Sequence, residues 1–125
     1  MGQQAHIRSI RETLQQFLQQ RNADLNKRTR KNYEEVLELV EEYFDELHVR
    51  AIDLRTTPEG PLGSGVITIG KMLEHLDDFE DAYLIGRIGA ERDFVRVAAF
   101  VVRDLTRWVR GRRLTRSSGS VAVSA

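Results

Sequence analysis

"AAFVVRDL", residues 98–105, is the stretch on which the fold class turns. Alone, its Val and Phe content suits a β-strand. In the longer stretch 91–112, however, Phe94, Ala98, Val101, Val102, Leu105, Trp108 and Val109 recur every three to four residues. That is the period of a helix, not the alternation of a strand, and it predicts a helix over 91–112. "GVITIG" (65–70) has no such extension and is short enough to be a strand or the lead-in to a helix.

Working outward, the same spacing predicts three more helices. The third starts near Thr68 or Gly70 and runs to about Ile85, with Met72, Leu73, Leu76, Phe79 and Tyr83 on one face; Gly86 and Gly89 bracket a break. The first covers 5–21 on Ile7, Ile10, Leu14, Phe17 and Leu18. The second covers 27–47 on Tyr33, Val36, Leu37, Val40, Tyr43, Phe44 and Leu47, with Asn26 placed to cap its first-turn N–H groups. Between helices two and three, "HVRAIDLRTTPEGPLGSG" (48–65) holds both prolines and reads as a long loop containing a short extended piece. The expected fold is all-α: a compact bundle of four main helices with a long loop between helices 2 and 3. One helical domain is expected over 1–116, followed by a disordered tail at 117–125.

Composition narrows the chemistry. A chain of 125 residues suits one core, and folding at this size removes about two-thirds of the unfolded surface from water. There is no cysteine, which excludes disulfides and thiolate metal sites. No apolar run is long enough to span a membrane, and a cytoplasmic protein is expected. His6, His48 and His75 have no ligand companions at helical spacing, and Glu74-His75 lacks the second histidine of a zinc protease motif. No catalytic residue, metal, cofactor or small-molecule substrate is expected.

Charge is balanced at nineteen basic and nineteen acidic residues, but it is segregated. The second helix bears Glu34, Glu35, Glu38, Glu41, Glu42, Asp45 and Glu46; the third adds Glu74, Asp77, Asp78, Glu80 and Asp81. In the fourth, Arg92, Arg96, Arg103, Arg107 and Arg110 fall within an arc of about 60°. Phe100 lies on that arginine side, where a solvated face has no use for it. Guanidinium groups in a row can track phosphates through paired hydrogen bonds, or they can simply be a solvated face.

A second basic cluster opens the acidic helix. "LNKRTRKNY" (25–33) puts Lys27, Arg28, Arg30 and Lys31 at a helix N-terminus, the end that prefers negative charge. The pairs Arg30–Glu34 and Lys31–Glu35 would temper that cost by a few tenths of a kcal/mol each. The same nine residues resemble the pattern Leu-Ser-x-x-Thr-x-x-x-Tyr in the core-binding domain of tyrosine recombinases and phage integrases. Leu25, Thr29 and Tyr33 match, and Asn26 stands for the serine. "IRETLQQFLQQR" resembles that domain's first helix and "VVRDLTRWV" its last, so the likeness covers about 7–110. It implies a SAM-like four-helix module that clamps duplex DNA and leaves strand cleavage to a separate domain. Lys27, Arg28, Arg30 and Lys31 would then meet phosphates, with Arg96, Arg103, Arg107 and Arg110 along the last helix. The alternative partner is another protein, or a second copy, meeting complementary acidic and arginine-rich faces with Phe100 as anchor.

Overall fold

The computed structural model of the chain describes residues 6–58, 60–81 and 92–113. Its elements run β1 (Ile7–Ser9), α1 (Ile10–Asn22), α2 (Lys27–Glu46), β2 (Ala51–Asp53), β3 (Val66–Thr68), α3 (Ile69–Asp78) and α4 (Arg92–Arg110). The four helices follow the apolar spacing. The all-α expectation is incomplete, because three short strands form a sheet in the order β1-β2-β3. The expected third-helix residues up to Ile85, Tyr83 among them, lie outside the described residues. So do the Gly86–Gly89 break and the 117–125 tail.

The sheet shortens the first helix and leads into the third where expected. Residues 7–9, expected inside the first helix, are extended and pair antiparallel with β2, Ile7 opposite Asp53 and Ser9 opposite Ala51. Ser9 then ends the strand and caps α1: its hydroxyl accepts from the Glu12 N–H at 3.0 Å, and the Thr13 hydroxyl donates back to the Ser9 carbonyl at 2.8 Å. "GVITIG" turns out to be strand and helix lead-in at once. Val66–Thr68 pair parallel with β2, and the Thr68 hydroxyl accepts from the Lys71 N–H at 3.0 Å to begin α3. A Ser or Thr at the strand–helix junction serves both sides, because a cap residue has extended backbone angles.

The long loop now has a physical reason. Parallel strands cannot be joined by a tight hairpin and need a crossover of about a dozen residues. Residues 54–65 are that crossover between β2 and β3. Gly65 closes it at φ +78, where a Cβ would stand 3.2 Å from the His48 carbonyl oxygen, so a side chain is disfavoured there on two counts. His48 itself, φ 61, ends α2 in the left-handed conformation. Its N–H donates to the Asp45 carbonyl and the Val49 N–H to the Phe44 carbonyl, both at 3.0 Å. That is the bonding of a Schellman cap, usually built on glycine. It turns the chain from the acidic helix straight into the central strand.

One apolar core joins the two layers. Phe17, Phe44 and Phe79 are fully buried, as are Val36, Val40, Ile52, Met72, Leu76, Val101 and Leu105. Each phenylalanine contributes about 2–3 kcal/mol by leaving water. α4 packs on both α2 and α3. Phe17 stands 6.0 Å from Tyr33 and 5.5 Å from Trp108, ring centre to ring centre, which ties α1, α2 and α4 together. Tyr43 meets Phe79 at 5.4 Å, which ties α2 to the end of α3.

Candidate functional site

The eight predicted anion-binding residues divide into three environments. Asn26 caps α2 as expected, its side-chain oxygen accepting from the Thr29 N–H at 2.9 Å. That sets Lys27, Arg28 and Lys31 on the exposed side of the first turns. None of them takes part in the ion pairs among the described residues. Arg30 behaves otherwise. It turns away from Glu34 and donates from Nη2 to the Asn22 carbonyl at 3.3 Å and to the Leu25 carbonyl at 3.5 Å. A cation at the last carbonyl of α1 and in the turn beyond it complements that helix's negative end. One of the four charges that looked misplaced at the start of α2 therefore serves the end of α1. The expected Arg30–Glu34 pair is replaced by this bonding.

Arg96, Arg103, Arg107 and Arg110 are all exposed on α4. Three of them form one wall of a groove of about 680 Å³ between α3 and α4, with Glu74, Asp77, Glu80 and Asp81 on the other wall and Leu73, Leu76 and Val102 below. Arg103 Nη2 donates to Glu80 Oε2 at 3.2 Å. Arg107 comes within 4.0 Å of Asp104. The groove thus faces cations with carboxylates, which lowers its pull on a polyanion. Phe100 is 62% exposed within the same row, uncovered by the 48–65 loop.

Sequence reading missed a half-buried polar junction on the opposite flank of α4. Asp104, on α4, accepts from Arg21 Nε at 2.8 Å, from Arg21 Nη2 at 3.0 Å and from the Tyr33 hydroxyl at 2.9 Å. Burial pushes the Asp104 carboxyl up, but the bonds from Arg21 and Tyr33 outweigh it and hold the group below the usual carboxylate value. Burial, then the bond to Asp104, pushes the Tyr33 hydroxyl up to about 12. Beside it, Trp108 Nε1 donates to Gln20 Oε1 at 2.9 Å, and the Arg112 guanidinium stacks 4.7 Å from the Trp108 ring. Arg112, just past the end of α4, is therefore partly engaged. A signal was available: a core tyrosine still needs a partner for its hydroxyl.

A similar clamp fixes the sheet. Fully buried Asp53 accepts from Arg55 Nε at 3.0 Å, Arg55 Nη2 at 2.7 Å and the Arg55 N–H at 2.9 Å, with His6 Nε2 4.0 Å away. Burial raises this carboxyl too, and Arg55 more than reverses the effect. Each carboxylate accepts three hydrogen bonds from within the protein, as paired structural charges do. Among the described residues no group of three or more His, Asp or Glu side chains could hold a metal ion, and no helix is long and apolar enough to cross a membrane.

Among the described residues, the α2 start, the acidic row of α2 and the Phe100 row are open to a partner. No family model matches the chain, and no curated protein or solved structure matches it either.

Proposed function

We propose that this chain is a non-catalytic helical module that binds duplex DNA through the start of α2. The observation that carries the reading is the exposed trio Lys27, Arg28 and Lys31, outside every ion pair among the described residues. Three uncommitted cations in the first turns of a helix, at the positive end of its dipole, suit phosphate oxygens. The resemblance of Leu25, Asn26, Thr29 and Tyr33 to an integrase core-binding pattern supports DNA as the polyanion. Arg30 is left out of this surface because it holds the α1 carbonyls. The α4 arginines play at most an outlying part, since acidic α3 faces them.

Fluorescence anisotropy with a labelled duplex tests the reading. Affinity should fall as salt rises, with a log–log slope of about −0.9 for each phosphate engaged. The Lys27→Ala/Arg28→Ala/Lys31→Ala variant should bind more weakly and with a shallower slope. A flat salt response, or a triple variant that binds like the parent, would remove the proposal.

A further inference from the structure

We propose that a second copy of this chain docks its α4 row, antiparallel, onto the acidic row of α2 along the α1–α2 groove. The argument rests on a match of spacing and charge. Arg96, Phe100, Arg103 and Arg107 follow one another at steps of four, three and four residues. Glu34, Glu38, Glu41 and Asp45 do the same on α2. Each row keeps to one narrow stripe of its helix and is about 16 Å long. One row carries cations around an exposed phenylalanine; the other is anionic and borders a groove of about 340 Å³ with Leu14, Leu18 and Leu37 in its lining.

The spacing reads the same in both directions, so Arg11 decides the orientation. Arg11 Nε already donates to Glu41 Oε2 at 2.8 Å. Antiparallel docking sets Arg96 against Asp45, Arg103 against Glu38 and Arg107 against Glu34. Every free carboxylate of the row then meets an arginine. Phe100 falls opposite the neutralised Glu41–Arg11 pair, where its ring can cover the Arg11 guanidinium. Parallel docking would instead drive Arg103 onto Arg11, cation against cation. Antiparallel helices also align their dipoles favourably. The pairs that Arg103 and Arg107 now make, to Glu80 and Asp104, involve arginines 69% and 78% exposed and exchange readily.

Each copy offers one row of each kind, so the contact is head-to-tail and builds a ring or an open chain. This association is independent of the α2 start. The Lys27→Ala/Arg28→Ala/Lys31→Ala variant should self-associate like the parent whatever it does to DNA.

Sedimentation velocity over a broad concentration range, at low and at high salt, tests the proposal. The parent should gain mass with concentration at low salt and lose it at high salt, since exposed charges are screened. Phe100→Ser should weaken association about tenfold or more, as removal of an interface anchor does. Glu38→Lys/Asp45→Lys and Arg96→Glu/Arg103→Glu should each be monomeric alone, with melting curves like the parent's. Mixed, they should associate again, because the unaltered α4 of the first meets the unaltered α2 of the second; a chain carrying all four reversals should self-associate, because its reversed rows suit each other. A parent that stays monomeric at low salt overturns the proposal, and so does association indifferent to Phe100→Ser and to both reversals. A mixture that stays monomeric overturns the docking, and a four-reversal chain that stays monomeric overturns the antiparallel pairing.

Discussion

Arg103 and Asp104 are neighbours in sequence and opposites in circumstance. Asp104 turns toward α1 and α2, is 12% exposed, and accepts three hydrogen bonds from Arg21 and Tyr33. Arg103 turns to the other flank, is 69% exposed, and makes one bond of 3.2 Å to Glu80. The same helix thus carries a charge that holds the fold together and a charge that the fold hardly uses. Residue type does not separate the two roles; desolvation and the number of partners do. A shielded charge that already holds three donors has little left to offer a ligand, whereas an exposed and weakly paired one does.

The largest expected effect is on the buried side. Asp104→Ala would strand Arg21 beside the Phe17 ring, 5.3 Å from its centre, with no carboxylate to meet it. The expected loss is about 3 kcal/mol, the low end for removing one member of a buried pair, since Arg21 keeps some water. Urea unfolding should show a lower midpoint at an unchanged slope. A loss near that of a surface substitution would abolish the contrast between the two flanks.

Tyr33→Phe is expected to be smaller, about 1.5 kcal/mol, the value of one hydrogen bond to a charged acceptor. It also separates two limbs of the pH profile. The Tyr33 value is raised in the folded protein to about 12, so its contribution is complete below the unfolded value near 10 and is lost as pH climbs from there toward 12. Asp104 and Asp53 are depressed in the folded protein. Their contributions are present above the unfolded carboxylate value of about 3.9 and are lost as pH falls through the lower folded values. Tyr33→Phe should therefore flatten the alkaline limb and leave an acid limb due to Asp53 and to Asp104, which keeps both bonds from Arg21. Among the described residues, Tyr43, raised by burial and by Asp78, adds to the alkaline slope that survives. An alkaline limb identical in parent and variant would show that the Tyr33–Asp104 bond does not couple to folding.

The helices were legible because each repeats its apolar face over several turns; Tyr33, Val36, Leu37, Val40 and Phe44 alone define α2. The Asn26 cap and the core role of Tyr33 were legible from local chemistry. The strands were legible only in part: 65–70 reads as a strand or a lead-in and 48–65 as holding a short extended piece, but three residues show only one full alternation, and their pairing with Ile7–Ser9 does not show. Ile7 and Ile10 fit a helical step of three as well as a strand followed by a helix. The sheet shows indirectly, as the long segment that a parallel crossover requires. Arg30, Arg21 and Asp104 were illegible for another reason. Whether a charge turns inward depends on which helix end lies beside it, and that is fixed by packing between residues far apart in the chain. The open cations Lys27, Arg28 and Lys31 keep the places that the sequence assigns them, since solvent imposes no further choice.

The smallest effect expected is the sharpest check on this division. Arg96→Ala or Arg103→Ala, at concentrations where the protein is monomeric, should change unfolding stability by no more than about 0.5 kcal/mol. Arg103 loses one screened bond, and Glu80, 23% exposed, still reaches water once freed. Arg96 stands a full turn before Phe100 on the same open stripe, so its removal uncovers nothing buried. The same substitutions should weaken self-association, because docking is where these side chains would be desolvated and matched. A loss of stability well above 1 kcal/mol would mean that the row is already engaged within the monomer. In that case Phe100 would stand among structural charges, and the face of α4 would have to be counted with Asp104 and Arg21 as part of the fold.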